Sequence, residues 1–277
     1  MKTKLLALCI AMASASAIAS DWTSGEFTGG IDIGGTIEKT EYPAKWKWKA
    51  GSSITDLNAF TKDLRNNGRQ LTIQISENKP ILLGKTAEAF FAHVTGVEAA
   101  PQITFKGFDQ SEIEIQANGS PDGKHYLELP IKEASGVDKI GTLRINVTAA
   151  GVSAKEKDDT AADLSSLDAT SAGEVFFGGL STSSVIDSAA TAVSKTSAFG
   201  SLGETELLSQ LQIATNKNLV LEKGTAKKTE TMADGKFTAA TYAMAVEAGQ
   251  TLVATFDSAV SSETAWKAPL SIEVSYQ

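Results

Sequence analysis

The chain has 277 residues, a formal net charge of −8 and one cysteine, Cys9. That length is enough for a sizeable core, and the acidic balance disfavours nucleic acid and anionic lipid as partners. A single cysteine excludes a disulfide framework and a multi-cysteine metal site.

The first residues read MKTKLLALCIAMASASAIASDW. Lys2 and Lys4 make a basic start, Leu5 to Met12 an apolar run, and Ala17-Ile18-Ala19 the small-x-small pattern of a cleavage site. Residues 1–19 are therefore read as a signal peptide, with export from the cytoplasm. The apolar run is too short for a permanent span, and no later stretch approaches the roughly twenty apolar residues that one needs. Cleavage after Ala19 removes Cys9 and two lysines, leaving 23 basic against 33 acidic residues, a charge of −10.

GGIDIGGTIEKT follows, from Gly29 to Thr40. D-I-G-G-T alone is similar to the phosphate turn of actin-like sugar kinases, but the further motifs and the strand–helix alternation of such kinases are missing. Parity gives another reading. Phe27, Gly29, Ile31, Ile33, Gly35 and Ile37 share one face; Thr28, Gly30, Asp32, Gly34 and Thr36 share the other. Such a strand has one apolar face, and its glycines permit close backbone approach. It is either a strand that lies in a partner's groove or the first strand of its own sandwich.

Beyond it the dominant period is two. In YPAKWKWK, Trp46 and Trp48 fall on one face and Lys45, Lys47 and Lys49 on the other, a half-buried strand rather than a nucleic-acid patch. Leu71/Ile73/Ile75, Ile103/Phe105, Ile113/Ile115 and Leu143/Ile145/Val147 repeat the pattern, with a hairpin turn predicted at Asn118–Gly123. Tyr242/Met244/Val246, Leu252/Ala254/Phe256 and Leu270/Ile272/Val274/Tyr276 carry it to the end. Many short strands with turns between them predict a mainly β fold, a β-sandwich.

Two helices are predicted. Glu204 to Ala214 carries Leu207, Leu208 and Leu211 at helical spacing. Ile54 to Leu64 carries Ile54, Leu57 and Leu64, with Ser53 as cap and Asn66-Asn67-Gly68 as stop. From Val152 to Ser197 no period is sustained, and the segment is read as a long irregular excursion, the kind of place where binding occurs.

No catalytic constellation emerges. His93 and His125 lack metal-ligand spacing and are read as surface or loop residues, no G-x-S-x-G is present, and Asp158-Asp159 reads as a solvated charge run. The chain is read as no enzyme, with no cofactor and no metal.

The segments DWTSGEFTGGIDIGGTI, KWKWK, LTIQISENKPILLGKT, VFFGGL, AFGSL, GQTLVATF and APLSIEVSYQ, in this order, span residues from the predicted mature N-terminus to the last residue. On them the chain resembles the FaeG-like family, major subunits and adhesins of enteric bacterial fimbriae assembled by the chaperone–usher route. The resemblance implies an incomplete immunoglobulin-like sandwich completed by donor-strand exchange. Residues 20–40 would be the donor extension and 41–277 the subunit domain, with an insertion at about 150–215. Phe27, Gly29, Ile31, Ile33, Gly35 and Ile37 would line the groove of the next copy, and Leu270, Ile272, Val274 and Tyr276 would form the groove-edge strand. The implied partners are a periplasmic chaperone, an outer-membrane usher, neighbouring copies in a cell-surface fimbria, and host glycoconjugates; nucleic acid is not among them. The family's sugar site lies in an insertion whose equivalent here, AKEKDDTAADLSSLDATSAGE, has no aromatic residue, so its sugar-binding residues are not transferred. Asp168, Thr170 and Glu174, with Phe176 or Phe177 as the ring, are the glycan contacts left to consider. The alternative puts both rings in the core and makes the protein a purely structural fibre subunit.

Overall fold

The computed structural model describes residues 42–92, 99–181 and 183–276. A 3-10 turn at Tyr42–Lys45 leads into β1 (Trp46–Ala50), followed by β2 (Gln70–Gln74), β3 (Lys79–Thr86), β4 (Phe90–Ala92) and β5 (Pro101–Lys106). Next come β6 (Glu112–Ile113), β7 (Gln116–Ala117), β8 (Lys124–Glu133), β9 (Lys139–Glu156) and β10 (Ala161–Asp168). Helices α1 (Ala189–Ala198) and α2 (Glu204–Thr215) precede β11 (Val220–Lys223), β12 (Lys228–Thr229) and β13 (Lys236–Val246). The chain closes with β14 (Thr251–Phe256), β15 (Trp266–Lys267) and β16 (Ser271–Tyr276). The fold is mainly β, consistent with an immunoglobulin-like sandwich.

The 18 residues of β9 organise the sheets. Its first half lies between β8 and β14, and its second half between β13 and β10. One ladder runs β1-β3-β13-β9-β10-β11; β2, β14 and β8 join through the first half of β9, and β16-β5-β6 form a separate sheet. Alternation aims the large residues at the shared core: Leu143, Ile145 and Val147 of β9, Tyr242, Met244 and Val246 of β13, Ile103 and Phe105 of β5. The two tryptophans of β1 behave as their parity predicts, with Trp46 buried, Trp48 half-buried and Lys47 and Lys49 exposed. Trp48 lies over Gly84, its cross-strand partner, where a Cβ would sit 2.2 Å from the indole Cζ3.

The stretch from Val152 departs from the sequence reading. It continues β9 into a hairpin with β10, and apart from the 157–160 turn the described residues without regular strand or helix lie between β10 and α1. The reason is a second apolar layer. Ala150, Val152 and Ala154 of β9, Ala162 and Leu164 of β10 and Ala239 of β13 are buried under Ala189, Ala192 and Val193 of α1 and Leu207 and Leu211 of α2. Strands covered on both faces lose the alternation that marks a half-buried strand. The predicted helix at 204–214 is α2; Glu206 accepts the Gly203 N–H at 3.1 Å, and Asn216 ends it in the left-handed region at φ 54°. Its neighbour α1 is capped by Ser188, whose hydroxyl accepts from the Thr191 N–H at 3.4 Å.

The predicted helix at 54–64 does not form. One 3-10 turn at Thr61–Asp63 is all that winds, and Ser53 caps nothing. Ile54, Leu57 and Leu64 still pack against the core. Thr55, Asp56, Asn58, Thr61 and Asp63 are weak helix formers, so packing of the apolar residues decides the path. Asn66, Asn67 and Gly68, at φ 52°, 56° and 79°, turn the chain into β2 instead of stopping a helix.

Candidate functional site

The last strand positions the most distinctive feature. β16 pairs with β5 from Ser271↔Lys106 to Tyr276↔Pro101, and among the described strands its other edge has no partner. Ile272, Val274 and Tyr276 are half-buried against the core, while Ser271, Glu273 and Ser275 are exposed. Trp48 Nε1 donates to the Tyr276 hydroxyl at 2.9 Å, pinning the end of the strand to β1. Burial raises the Tyr276 phenol above its ordinary pKa, with the indole N–H acting in the other direction. On the outer face, Lys106 Nζ donates to Glu273 at 2.9 Å.

Beside this edge lies a groove of about 1110 Å³. Its floor is the core itself, through Leu71, Leu129, Leu143, Ile145, Leu252 and Phe256. Ala50 to Thr55 and Leu57 to Thr61 line one wall and Ser262 to Leu270 the other, with Ile272 of β16 at the rim. Trp266 stands edge-on to Phe256 at 6.1 Å between ring centroids. Among the described lining residues only Glu263 and Lys267 are charged. The volume exceeds that of most small-molecule pockets, roughly 300–1,000 Å³. Apolar floor, free backbone edge and length together suit an extended peptide: side chains into the floor, N–H and C=O groups onto the edge.

The other residues singled out in the sequence fall into separate places. Phe176 is fully buried, edge-on to Trp46 and Trp48 at 5.6 and 6.3 Å and tilted against Tyr242 at 5.2 Å between ring centroids, so its ring offers no face to a sugar. Its backbone is left-handed at φ 69°, and its N–H donates to the Pro101 carbonyl at 2.8 Å. Gly178 follows at φ 80°, where a Cβ would meet the Ile103 carbonyl oxygen at 2.1 Å. The VFFGGL segment is thus a core wedge whose glycines let it approach β5. Phe177 is half-buried. Glu174 accepts the Ser171 N–H at 2.9 Å and the Thr170 hydroxyl at 3.2 Å within one local turn, and Thr229 donates to Asp168 at 2.8 Å across the β10–β12 ladder, so these polar groups already have partners. Asp158 holds the β9–β10 turn, accepting the Thr160 and Ala161 N–H groups at 2.8 and 2.9 Å, and Asp159 pairs with Lys217 at 2.8 Å.

His125 is no surface residue. It is fully buried on β8, in line with Leu127, Leu129 and Ile131. The alternation in HYLELPI, with His125, Leu127, Leu129 and Ile131 on one face, carries that signal. Nδ1 lies 2.6 Å from the Gly123 carbonyl, which only accepts, so Nδ1 bears the proton and Nε2 accepts from Ser181 Oγ at 2.9 Å. Burial pushes its pKa down to about 4, against the Gly123 carbonyl and the Asp122 charge, which favour the charged form. His93, the signal peptide and the donor anchors Phe27 to Ile37 lie outside the described residues. Among the described residues no cluster of His, Cys, Asp or Glu is placed to hold a metal, and no helix is long and apolar enough to cross a membrane.

Fold and groove define a mainly β, immunoglobulin-like sandwich with an apolar binding groove beside its C-terminal strand. The chain belongs to the family described as fimbrial major and minor subunits, which it matches across residues 1–277. It is 38% identical over 285 residues to K88 fimbrial protein AB and 37% identical over 286 residues to K88 fimbrial protein AC, both of Escherichia coli, covering 100% of each chain. F41 fimbrial protein, also of Escherichia coli, is 26% identical over 287 residues, again with full coverage. The protein is accordingly a structural subunit of a surface fimbria, a fibre of self-associating subunits, and not an enzyme.

Proposed function

We propose that the subunit polymerises by donor-strand complementation, the segment Phe27 to Ile37 of one copy filling the groove beside β16 of another. The free edge of β16 over the apolar floor is the observation that carries this reading. Phe27, Ile31, Ile33 and Ile37 supply four large apolar side chains at the period of a strand, and Gly29 and Gly35 pass where the groove is shallow. At about 1.5–3 kcal/mol for each large side chain, four anchors contribute on the order of 6–12 kcal/mol before ordering costs. Before assembly a periplasmic chaperone lends the strand, and an outer-membrane usher exchanges it for the next subunit's, each step an addition to the same edge. On this reading residues 1–19 are the export signal and residues 20–40 the donor extension.

The test is expression of the mature chain with chaperone and usher, with and without residues 20–37. The expected result is loss of fibres while chaperone-bound monomer accumulates. Fibres that persist unchanged without the segment overturn the reading.

A fibre of many copies would also make weak glycan contacts polyvalent, which is the adhesin reading. Its polar candidates are Asp168, Thr170 and Glu174. The burial of Phe176 favours the purely structural subunit instead, because it leaves only the half-buried Phe177 to serve as a ring. Glycan-array binding by assembled fibres that is abolished by Asp168→Ala with Glu174→Ala restores the adhesin reading, and no binding leaves the structural one.

A further inference from the structure

Strand β1 forms one free end of the long ladder, with β3 as its only partner among the described strands. Its outer face carries Lys47 and Lys49, and Lys47 stands directly opposite Lys85 of β3. All three are exposed, and among the described residues none has an ion-pair or hydrogen-bond partner. Like charges directly across a ladder are destabilising. This placement is unusual in a chain with an excess of acids, where Lys45, one turn earlier, is neutralised by Glu88 at 2.6 Å. The outer face of β16 is also neutralised, by Lys106 and Glu273 at 2.9 Å. The edge of β1 is therefore basic and that of β16 balanced.

Residues directly across a sheet ladder point to the same face. A strand that adds beside β1 with its apolar residues inward presents its polar residues next to Lys47 and Lys49. In the N-terminal segment the positions that alternate with Phe27, Ile31, Ile33 and Ile37 include Glu26, Asp32 and Glu38, with no basic residue between Ser20 and Glu38. Lysines on an edge discourage indiscriminate pairing, and an acid on the outward face of the incoming strand turns that obstacle into attraction.

We propose that Lys47 and Lys49, reinforced by Lys85, form an electrostatic register for the N-terminal segment of a second copy, with Asp32 as its counter-charge. This rests on the strand-exchange reading above and adds to it: the apolar floor supplies affinity, and the lysines select an acidic strand and set its position. The charge complementarity would also speed encounter, an effect that salt suppresses.

The test uses the mature chain held by its chaperone and a fluorescent peptide of residues 20–40, with the exchange rate measured at low and high salt. Lys47→Glu with Lys49→Glu is expected to slow exchange at low salt by roughly two- to fivefold for each position. A peptide with Asp32→Lys is expected to restore the rate on that variant and to slow it on the wild-type chain. Equal rates for every combination overturn the register and leave strand exchange standing. Slowing that the Asp32→Lys peptide does not rescue also overturns it, since the lysines would then act on something else. Failure of the wild-type peptide to exchange at any salt overturns both readings. Both lysines are exposed, so circular dichroism of the variant complex separates a folding defect from a docking one.

Discussion

His125 sets a pH dependence that can be worked from its surroundings. In the unfolded chain a histidine titrates near 6.5, and in the fold its pKa is about 4. Above pH 6.5 the ring is neutral in both states and contributes nothing to the pH dependence. Between 6.5 and 4 the unfolded chain binds a proton that the folded chain refuses, so stability falls as pH falls, by about 1.4 kcal/mol per unit. The loss is roughly 3 kcal/mol at pH 4 and levels off at roughly 3.4 kcal/mol below it. Protonation has a structural consequence too: imidazolium cannot accept from Ser181, whose Oγ also accepts the Ser184 N–H at 3.2 Å. The assay is calorimetric melting from pH 7 to 4 at fixed protein concentration, comparing wild type with His125→Gln. Glutamine keeps an N–H for the Gly123 carbonyl but takes up no proton. Asp109 and Asp158, whose pKa values are lowered by hydrogen bonds from Ser111 and Thr160, lose their stabilisation as pH falls in both chains and cancel in the difference. The wild type is expected to lose its advantage over the variant by about 3 kcal/mol across this window, or roughly 6–12 °C in Tm for a chain of this size. Parallel profiles from pH 7 to 4 would refute the argument.

Further expectations concern the core and the pinned C-terminal strand. Gly178→Ala combines a left-handed backbone with a Cβ 2.1 Å from the Ile103 carbonyl oxygen, and is expected to cost at least about 2 kcal/mol, read as a lower melting temperature. Gly84→Ala forces Trp48 off its seat and is expected to cost about 1–3 kcal/mol, with a changed tryptophan fluorescence. Tyr276→Phe leaves the Trp48 N–H without its acceptor and is expected to cost about 1–2 kcal/mol, measured by urea denaturation. Glu230 is buried with its carboxylate on Lys155 and on the Met232 N–H at 2.8 Å, so Glu230→Ala is expected to be strongly destabilising. Asp234 stays on Lys155 at 2.7 Å and keeps the loss at the low end of about 3–5 kcal/mol.

Strands with one wet face were legible because water enforces the alternation. Trp46/Trp48, Leu252/Ala254/Phe256 and Ile272/Val274/Tyr276 all stand where parity put them. The second half of β9 and β10 were not legible, since helices cover their outer face and both parities are buried. Apolar spacing at Ile54, Leu57 and Leu64 signalled contact with the core but not the helix, because contact can be made from an extended chain as well. Of the groove, the rim strand was readable and the floor was not. Leu71, Leu129, Leu143 and Leu252 come from four strands distant in sequence, and only the sheet order brings them together.

The free strand edges of the fold differ in a way that bears on how copies meet. At one end β11 is only four residues long and pairs in parallel with β10; its exposed Glu222 and Lys223 are tied to Lys157 and Glu204 at 2.5 and 2.8 Å. A short edge carrying fixed charges is a poor template for another strand. On the separate three-stranded sheet β16 offers six residues, its outward glutamate already neutralised by Lys106, beside a floor of leucine, isoleucine and phenylalanine. A sandwich that only had to remain soluble would gain from blunting both edges, because an exposed apolar groove costs hydration and invites aggregation. With β11 blunted and the edges of β1 and β16 open, strand addition of the kind proposed would be directional, entering at the β1 and β16 side and not at the β11 side. Directional, heterologous contacts repeat without closing, and repetition of that kind generates a fibre.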